Sequence, residues 1–309
     1  MSRRMAIVVT VVLLVLAAAI IIAKLPGGAP PAPTPTTAGS ATAPPANAPT
    51  PPAPADAEAN APAPVVNEPA LPSPGEMPPD HPPIATSTAA KTSIQWLGHA
   101  CFYIHSPGGN TVVTDPYDAD ATGYRPLGIG SHLVTVSSER LSHGFARGVR
   151  PFADAGGALT VLRGTDGGRG DLRIHAIATE GQSGRNWAYL IQSGPLRIVH
   201  LGALARPLTG TQIAGIGRVD VLMLPVGGGY ALDGPAAAKV AAALNPKLIL
   251  PTVYRTEATA ASLAASLLPL EQFVAATPYA LSRKSEDIVM VGPDDLPSST
   301  EIWRLRYRR

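Results

Sequence analysis

Ser93-Ile94-Gln95-Trp96-Leu97-Gly98-His99-Ala100-Cys101-Phe102-Tyr103-Ile104 is the stretch whose reading decides the fold. Ser93 to Trp96 and Ala100 to Ile104 are rich in β-branched and aromatic residues, which suit a pleated, half-buried surface, so each reads as a short strand. Pro107-Gly108-Gly109-Asn110 supplies turn chemistry and Thr111-Val112-Val113-Thr114 a further strand, so the region opens on antiparallel hairpins.

Working outward toward the C-terminus, strands are expected at residues 133–136, 159–162, 172–178, 187–192, 196–200, 219–224 and 248–250. Helices fit between the later ones, at 209–216, at 234–244 with Asp233 as N-cap, and at 258–268. Hairpins first and strand-helix alternation afterwards predict an α/β (α+β) domain over residues 91–309, a mixed sheet structure with helices outside. About 215 residues suffice for a sizeable core. Gly227-Gly228-Gly229 and Gly167-Gly168-Arg169-Gly170 lack the Lys and Ser or Thr of a phosphate loop and read as turns.

Working outward toward the N-terminus, residues 25–90 are dominated by Pro and Ala. Proline removes backbone donors and alanine supplies little apolar area, so a disordered linker with His81 inside it is expected, reaching at most ~200 Å if polyproline-like. Before it, Met5 to Ala23 is apolar except for Thr10, with Arg3 and Arg4 ahead and Lys24 behind. At ~1.5 Å per residue this makes a helix of roughly 28 Å, close to the ~30 Å hydrocarbon core. Residues 1–24 therefore read as a transmembrane signal anchor, with a signal peptide cleaved after Ala17-Ala18-Ala19 as the competing reading. The leading arginines keep the N-terminus in the cytoplasm and send the domain to the extracytoplasmic side of the cell envelope.

With 24 Lys and Arg against 22 Asp and Glu, the formal net charge is +2, and no basic stripe suggests a nucleic-acid partner. The single cysteine, Cys101, excludes an internal disulfide in a monomer and reads as a small buried hydrophobe.

Several landmarks in order carry a resemblance: Trp96-Leu97-Gly98-His99, Thr114-Asp115-Pro116-Tyr117, Leu133-Val134-Thr135-Val136-Ser137, Gly184-Arg185-Asn186, His200-Leu201-Gly202, Val219 to Gly228, and Pro251 with Tyr254-Arg255-Thr256. Together they resemble the metallo-β-lactamase superfamily, in particular its lactonase-like branch of metal-dependent hydrolases related to the ascorbate-6-phosphate lactonase. The resemblance implies an αββα sandwich with the site where loops converge at the sheet edge.

It also implies a ligand set, and that set is degenerate here. The family's His-x-His-x-Asp-His loop corresponds to Ser138-Glu139-Arg140-Leu141-Ser142-His143, so Ser138, Arg140 and Ser142 stand at ligand positions and only His143 is kept. Glu180 is the nearest donor to the next position, Ala203 replaces the bridging Asp, and Val253 replaces the last His. Catalytic zinc typically takes three protein ligands and keeps an open position for water. The always-charged guanidinium of Arg140 has no lone pair to give and repels a dication. An Arg140–Glu180 ion pair filling the metal position is expected instead.

His99, Asp115 and Glu139 are pocket candidates, with Asp115 expected to tie down a loop. His105, His132, His175 and His200 read as surface or core histidines, and the absence of a GxSxG elbow argues against a Ser142–His143 hydrolase. The expected function is that of a membrane-anchored pseudoenzyme without a metal, binding an envelope protein or a small ligand. A purely structural envelope module is a further possibility. The alternative is a lactonase-, esterase- or phosphodiesterase-like hydrolase with an unorthodox single zinc on His143.

Overall fold

The computed structural model describes residues 91–308 apart from Gly156. The expected membrane segment, the Pro/Ala-rich linker and His81 lie outside the described residues. Among the described residues, no helix is long and apolar enough to cross a membrane.

Strands alternate inward and outward side chains, and here that alternation is used on two facing sheets. The first half of the domain supplies β1 (Thr92–Gly98), β2 (Cys101–His105), β3 (Thr111–Thr114), β4 (Ile129–Ser131), β5 (Leu133–Thr135), β6 (Val149–Pro151) and β7 (Thr160–Leu162). The second half supplies β8 (Gly167–Arg169), β9 (Leu172–Gly181), β10 (Gly184–Ser193), β11 (Leu196–His200), β12 (Val221–Pro225), β13 (Leu248–Thr252), β14 (Ala280–Arg283), β15 (Ile288–Val291) and β16 (Glu301–Arg304). One sheet has six strands in the order β15-β1-β2-β3-β5-β7 and the other eight in the order β14-β16-β13-β12-β11-β10-β9-β8. β4 and β6 form a small separate pair.

The helices are α1 (Ala119–Thr122), α2 (Gly210–Ile216), α3 (Gly234–Leu244), α4 (Ala261–Ala264) and α5 (Glu271–Ala275). Thr209 caps α2 in a reciprocal box with Gln212, and Asp233 caps α3 by accepting from the Ala236 amide. The one-turn α1 is likewise capped by Asp118.

Between the sheets lies the main core. Ile94, Trp96, Phe102, Ile104 and Val112 point into it from the first sheet, and Ile174, Ala188, Ile191, Ile198 and Leu222 are among those that meet them from the second. The alternate residues Leu97, Cys101, Val113 and Val134 face the other way and pack with Tyr117, Tyr124 and Val136. Because both faces of these strands are apolar, a slip of one residue would expose nothing polar to mark the error; register is instead fixed by turns and by bonds at the strand ends. At full burial, each Ile or Leu contributes about 2 kcal/mol.

Two sequence expectations need correction. The 258–268 helix shrinks to α4, because backbone groups that would feed a longer helix bond elsewhere: the Ala260 amide to the Thr122 carbonyl and the Leu268 amide to the Gly227 carbonyl. The Thr256 amide meets the Thr259 hydroxyl, a local turn that competes with helix entry. Gly167-Gly168-Arg169 is a strand rather than a turn, because β9 offers it a free edge to pair with.

The β1–β2 connection depends on Gly98, whose φ of +121° is closed to ordinary side chains. A Cβ there would lie 2.3 Å from Cδ1 of the buried Tyr124 ring. Gly98→Ala is expected to destabilise the protein by about 3 kcal/mol, read as a fall in Tm of roughly 6–12 °C. Unchanged thermal denaturation of the full chain would contradict this account of the turn.

Candidate functional site

Loops at one end of the two sheets bring together residues far apart in sequence, and buried side chains pin those loops. Asp115 follows β3 at a φ of +38° and is fully buried. Its carboxyl accepts from the Ser137 amide at 2.7 Å and the Ser137 hydroxyl at 2.5 Å, joining the end of β3 to the loop after β5. Asn186 on β10 donates to the Leu201 carbonyl (2.9 Å) and the Thr179 hydroxyl (2.8 Å), and accepts from the Ala203 amide (2.9 Å). The indole of Trp96 donates to the carbonyl of His99, and that carbonyl also accepts from the Val253 amide at 3.3 Å.

His99, Tyr230, Ser142 and His143 form a buried polar chain. His99 Nε2 shares a hydrogen bond with the Tyr230 hydroxyl, which lies 3.5 Å from Ser142 Oγ. Ser142 Oγ meets His143 Nδ1 at 2.9 Å, and His143 Nε2 stands 3.9 Å from Asp115 Oδ2. The rings of His99 and His143 are edge to face at 5.2 Å. Tyr230 is the member that sequence reasoning missed. It follows the Gly227-Gly228-Gly229 turn, and nothing in its local pattern marks an inward-pointing hydroxyl.

The positions that the resemblance assigns to ligands fare differently from one another. Ala203 and Val253 are buried and join Ala100, Tyr230, Ala231 and Leu267 in a small apolar cluster of their own. Arg140 lies with its guanidinium carbon 4.5 Å from the centre of the Tyr230 ring, and Nη2 reaches Gln182 and Ser183 at 3.4 Å. The expected ion pair with Glu180 is not formed. Glu180 is exposed on β9 and its carbonyl bonds the Ala205 amide, while Arg140 takes a cation–π contact and neutral partners instead. Glu139 is corrected as a pocket candidate: its side chain is 76% exposed and bonded to Arg163 at 2.5 Å. Ser138 Oγ is buried without a hydrogen-bond partner among the described residues, as are His143 Nε2, His99 Nδ1 and His200 Nδ1. His200 is otherwise held by the Ala100 carbonyl, His132 by Thr111 and Asp154, and His175 by Asp166.

These donors do not fit a catalytic dication. Two of the positions carry hydrocarbon side chains, one a guanidinium and two only hydroxyls. Among the described residues, no three His, Cys, Asp or Glu are grouped to hold a metal ion. The chemistry that the buried chain does offer is hydrogen bonding to neutral groups, since burial disfavours the charged forms of its histidines and of Asp115. Burial pushes His99 down to about 3 and His200 to about 4. It holds His143 well below the imidazole range, with His99, His200 and Arg140 acting in the same direction. Burial pushes Asp115 up to about 8 against the two bonds from Ser137.

Two facing mixed sheets with external helices, and a site formed where loops from both sheets converge at one end, define the metallo-β-lactamase sandwich fold. Residues 93–253 match the beta-lactamase superfamily domain, and the chain belongs to that family. It is 29% identical over 185 residues to a UPF0173 protein of Pyrococcus furiosus, covering 53% of this chain and 83% of the relative. It is 24% identical over 210 residues to a UPF0173 metal-dependent hydrolase of Anaeromyxobacter sp. (strain K), covering 54% of this chain and 76% of the relative. A Thermotoga maritima structure of the metallo-β-lactamase superfamily, described as a Zn-dependent hydrolase, superposes with a TM-score of 0.56 at 28% identity. That superposition covers 70% of this chain and all of the other.

Two measurements follow from this geometry. Asn186→Ala removes three buried bonds and strands the Ala203 amide, while the Leu201 carbonyl keeps the Leu204 amide, so a loss of about 3 kcal/mol is expected in denaturant unfolding. The pH profile of stability has a definite shape. Below about 6.5, the unfolded histidines bind protons that buried His99, His143 and His200 refuse, and these outnumber the one proton that folded Asp115 retains, so stability falls with acid by roughly 2 kcal/mol per pH unit. Between about 6.5 and about 8, Asp115 alone differs, the folded state holding a proton the unfolded chain has released, and stability falls as pH rises. Tm should therefore peak near neutrality; a flat profile from pH 5 to 8 would contradict the burial of these groups.

Proposed function

We propose that this domain is a non-catalytic member of its superfamily that works by binding, held at the extracytoplasmic face of the membrane by the apolar segment Met5 to Ala23. The observation that carries this reading is the apolar cluster of Ala203, Val253 and Tyr230, which occupies the positions of two expected ligands and bears Arg140 against its outer edge. Restoring a dication there would require hydrocarbon to supply lone pairs, and would place the ion beside a fixed positive charge.

A second reading, a metal-dependent hydrolase with an unorthodox site, has the support of the comparisons. The Anaeromyxobacter relative is named a metal-dependent hydrolase and the Thermotoga structure is described as Zn-dependent. Within this chain, that reading rests on His143 Nε2, a buried donor nitrogen without a hydrogen-bond partner among the described residues. If a zinc were bound, His143 would be its one histidine ligand from the family loop, and the metal would supply Lewis acidity and a lowered water pKa.

Metal content separates the two. The full chain, purified without chelator and examined by elemental analysis beside His143→Ala, is expected to carry only traces of zinc, iron and manganese, at the same level in both proteins. Near-stoichiometric metal that His143→Ala removes would reject the non-catalytic reading and direct esterase, lactonase and phosphodiesterase assays to the metal-loaded protein.

A further inference from the structure

Behind the His99 turn, on the far side of Trp96, lies a cavity of about 200 Å³ that plays no part in the arrangement described above. Four basic residues line it, Arg283, Lys284, Arg304 and Arg306, with one acid, Glu257, although the Lys284 ammonium itself turns to the Trp303 ring. That imbalance is built into the sheet. β14 and β16 run parallel with Arg283 directly paired to Arg304, so two guanidinium groups leave adjacent strands side by side. The Lys284 amide bonds the Arg304 carbonyl and the Arg306 amide bonds the Glu286 carbonyl, extending the paired backbone beneath all four cations.

Like charges at paired positions destabilise a sheet unless something neutralises them. The partners present are weak. Glu271 reaches Arg283 only at 3.7 Å, with the two side chains 62% and 54% exposed, so water screens most of that attraction. Lys284 rests over the Trp303 ring, a contact that leaves its charge in place. Asp287 and Glu286 accept hydrogen bonds from Gln95 and Ser285 and do not line the cavity, and the Glu286 charge answers Lys284. Opposite the cations stand aromatic faces: Trp96 is stacked on Tyr254 at 5.5 Å and meets Tyr307 edge to face at 6.1 Å.

We infer that this cavity binds a small phosphate-bearing molecule, its phosphate between Arg283 and Arg304 and its organic part against Trp96 and Tyr307. Arginine forks match phosphate oxygens in pairs, and a dianion answers two adjacent guanidinium groups where a single carboxylate would leave one uncompensated. Trp96 also donates to the His99 carbonyl, so an occupant would press on the strand that leads into the His99 turn. The inference depends on this cavity alone and stands or falls separately from the question of metal.

The test uses inorganic phosphate and pyrophosphate on the full chain at constant ionic strength, with chloride as the matched control. Tm is expected to rise with either phosphate and not with chloride. The apparent Kd for pyrophosphate should weaken by about tenfold or more in Arg283→Gln and further in Arg283→Gln with Arg306→Gln. In phosphate-free buffer, Arg283→Gln should melt at or above the wild-type temperature, because it relieves a like-charge pair. Equal responses to phosphate and chloride would overturn the inference, as would a response that survives both substitutions. A lower Tm of Arg283→Gln without phosphate would also overturn it, by making that arginine structural.

Discussion

Bonds from buried side chains to backbone hold the loops of this domain, and everything at its candidate site depends on them. The carboxyl of Asp115 fixes the exit of β3 against Ser137, the amide of Asn186 fixes the loop after β11, and the Trp96 indole fixes the His99 turn. None of these bonds involves a side chain at a ligand position. The loops can therefore keep their course whatever residues stand at Ser138, Ser142, Ala203 or Val253, and this separates the shape of the site from its chemistry.

The backbone carries a trace of the same separation. Four non-glycine residues adopt positive φ among the described residues: His99, Asp115, Val253 and Asn245. Asn245 caps α3, an ordinary use of the left-handed region. The other three meet at the candidate site, and a β-branched residue such as Val253 is a costly occupant of that region, on the order of 1–3 kcal/mol. The cost is borne because Val253 is fully buried in the apolar cluster and its amide is held by His99. Burial of an aliphatic side chain returns about 2 kcal/mol, comparable with the strain.

How much of this was legible in the sequence follows from which forces act locally. Most strands from Ser93 through His200 were readable because apolar runs and turn residues mark them one by one, the short β4, β6 and β8 excepted, and the cap at Asp233 because capping is a contact over three residues. β14, β15 and β16 were not read, since their pattern is mixed and their pairing is with β1 and β13, remote in sequence. The site was legible as positions but not as contacts. Glu139 sits one residue from Arg140 and yet turns to solvent and Arg163, and Arg140 prefers the face of Tyr230 to the charge of Glu180. Both choices are made by tertiary neighbours that no local spacing announces.

Two kinds of inference meet at this site, and they weigh different things. Identity of 24–29% to the Pyrococcus and Anaeromyxobacter relatives, the second of which has a hydrolase name, carries the fold, because a fold is set by many small apolar contacts that tolerate substitution. Metal affinity is set by a few donor atoms and tolerates little: losing one ligand of three or four already removes the closed or catalytic geometries. Here hydrocarbon replaces two of the donors, and a third position holds a guanidinium whose charge opposes the ion. The burial that suppresses the charges of His99, His143 and Asp115 would be an advantage around a dication, and without one it favours a neutral, hydrogen-bonded interior. The uncharged carboxyl and imidazoles that burial favours and the tyrosine hydroxyl are mutually consistent with that state, so the family name speaks for one functional reading and the donor set for the other.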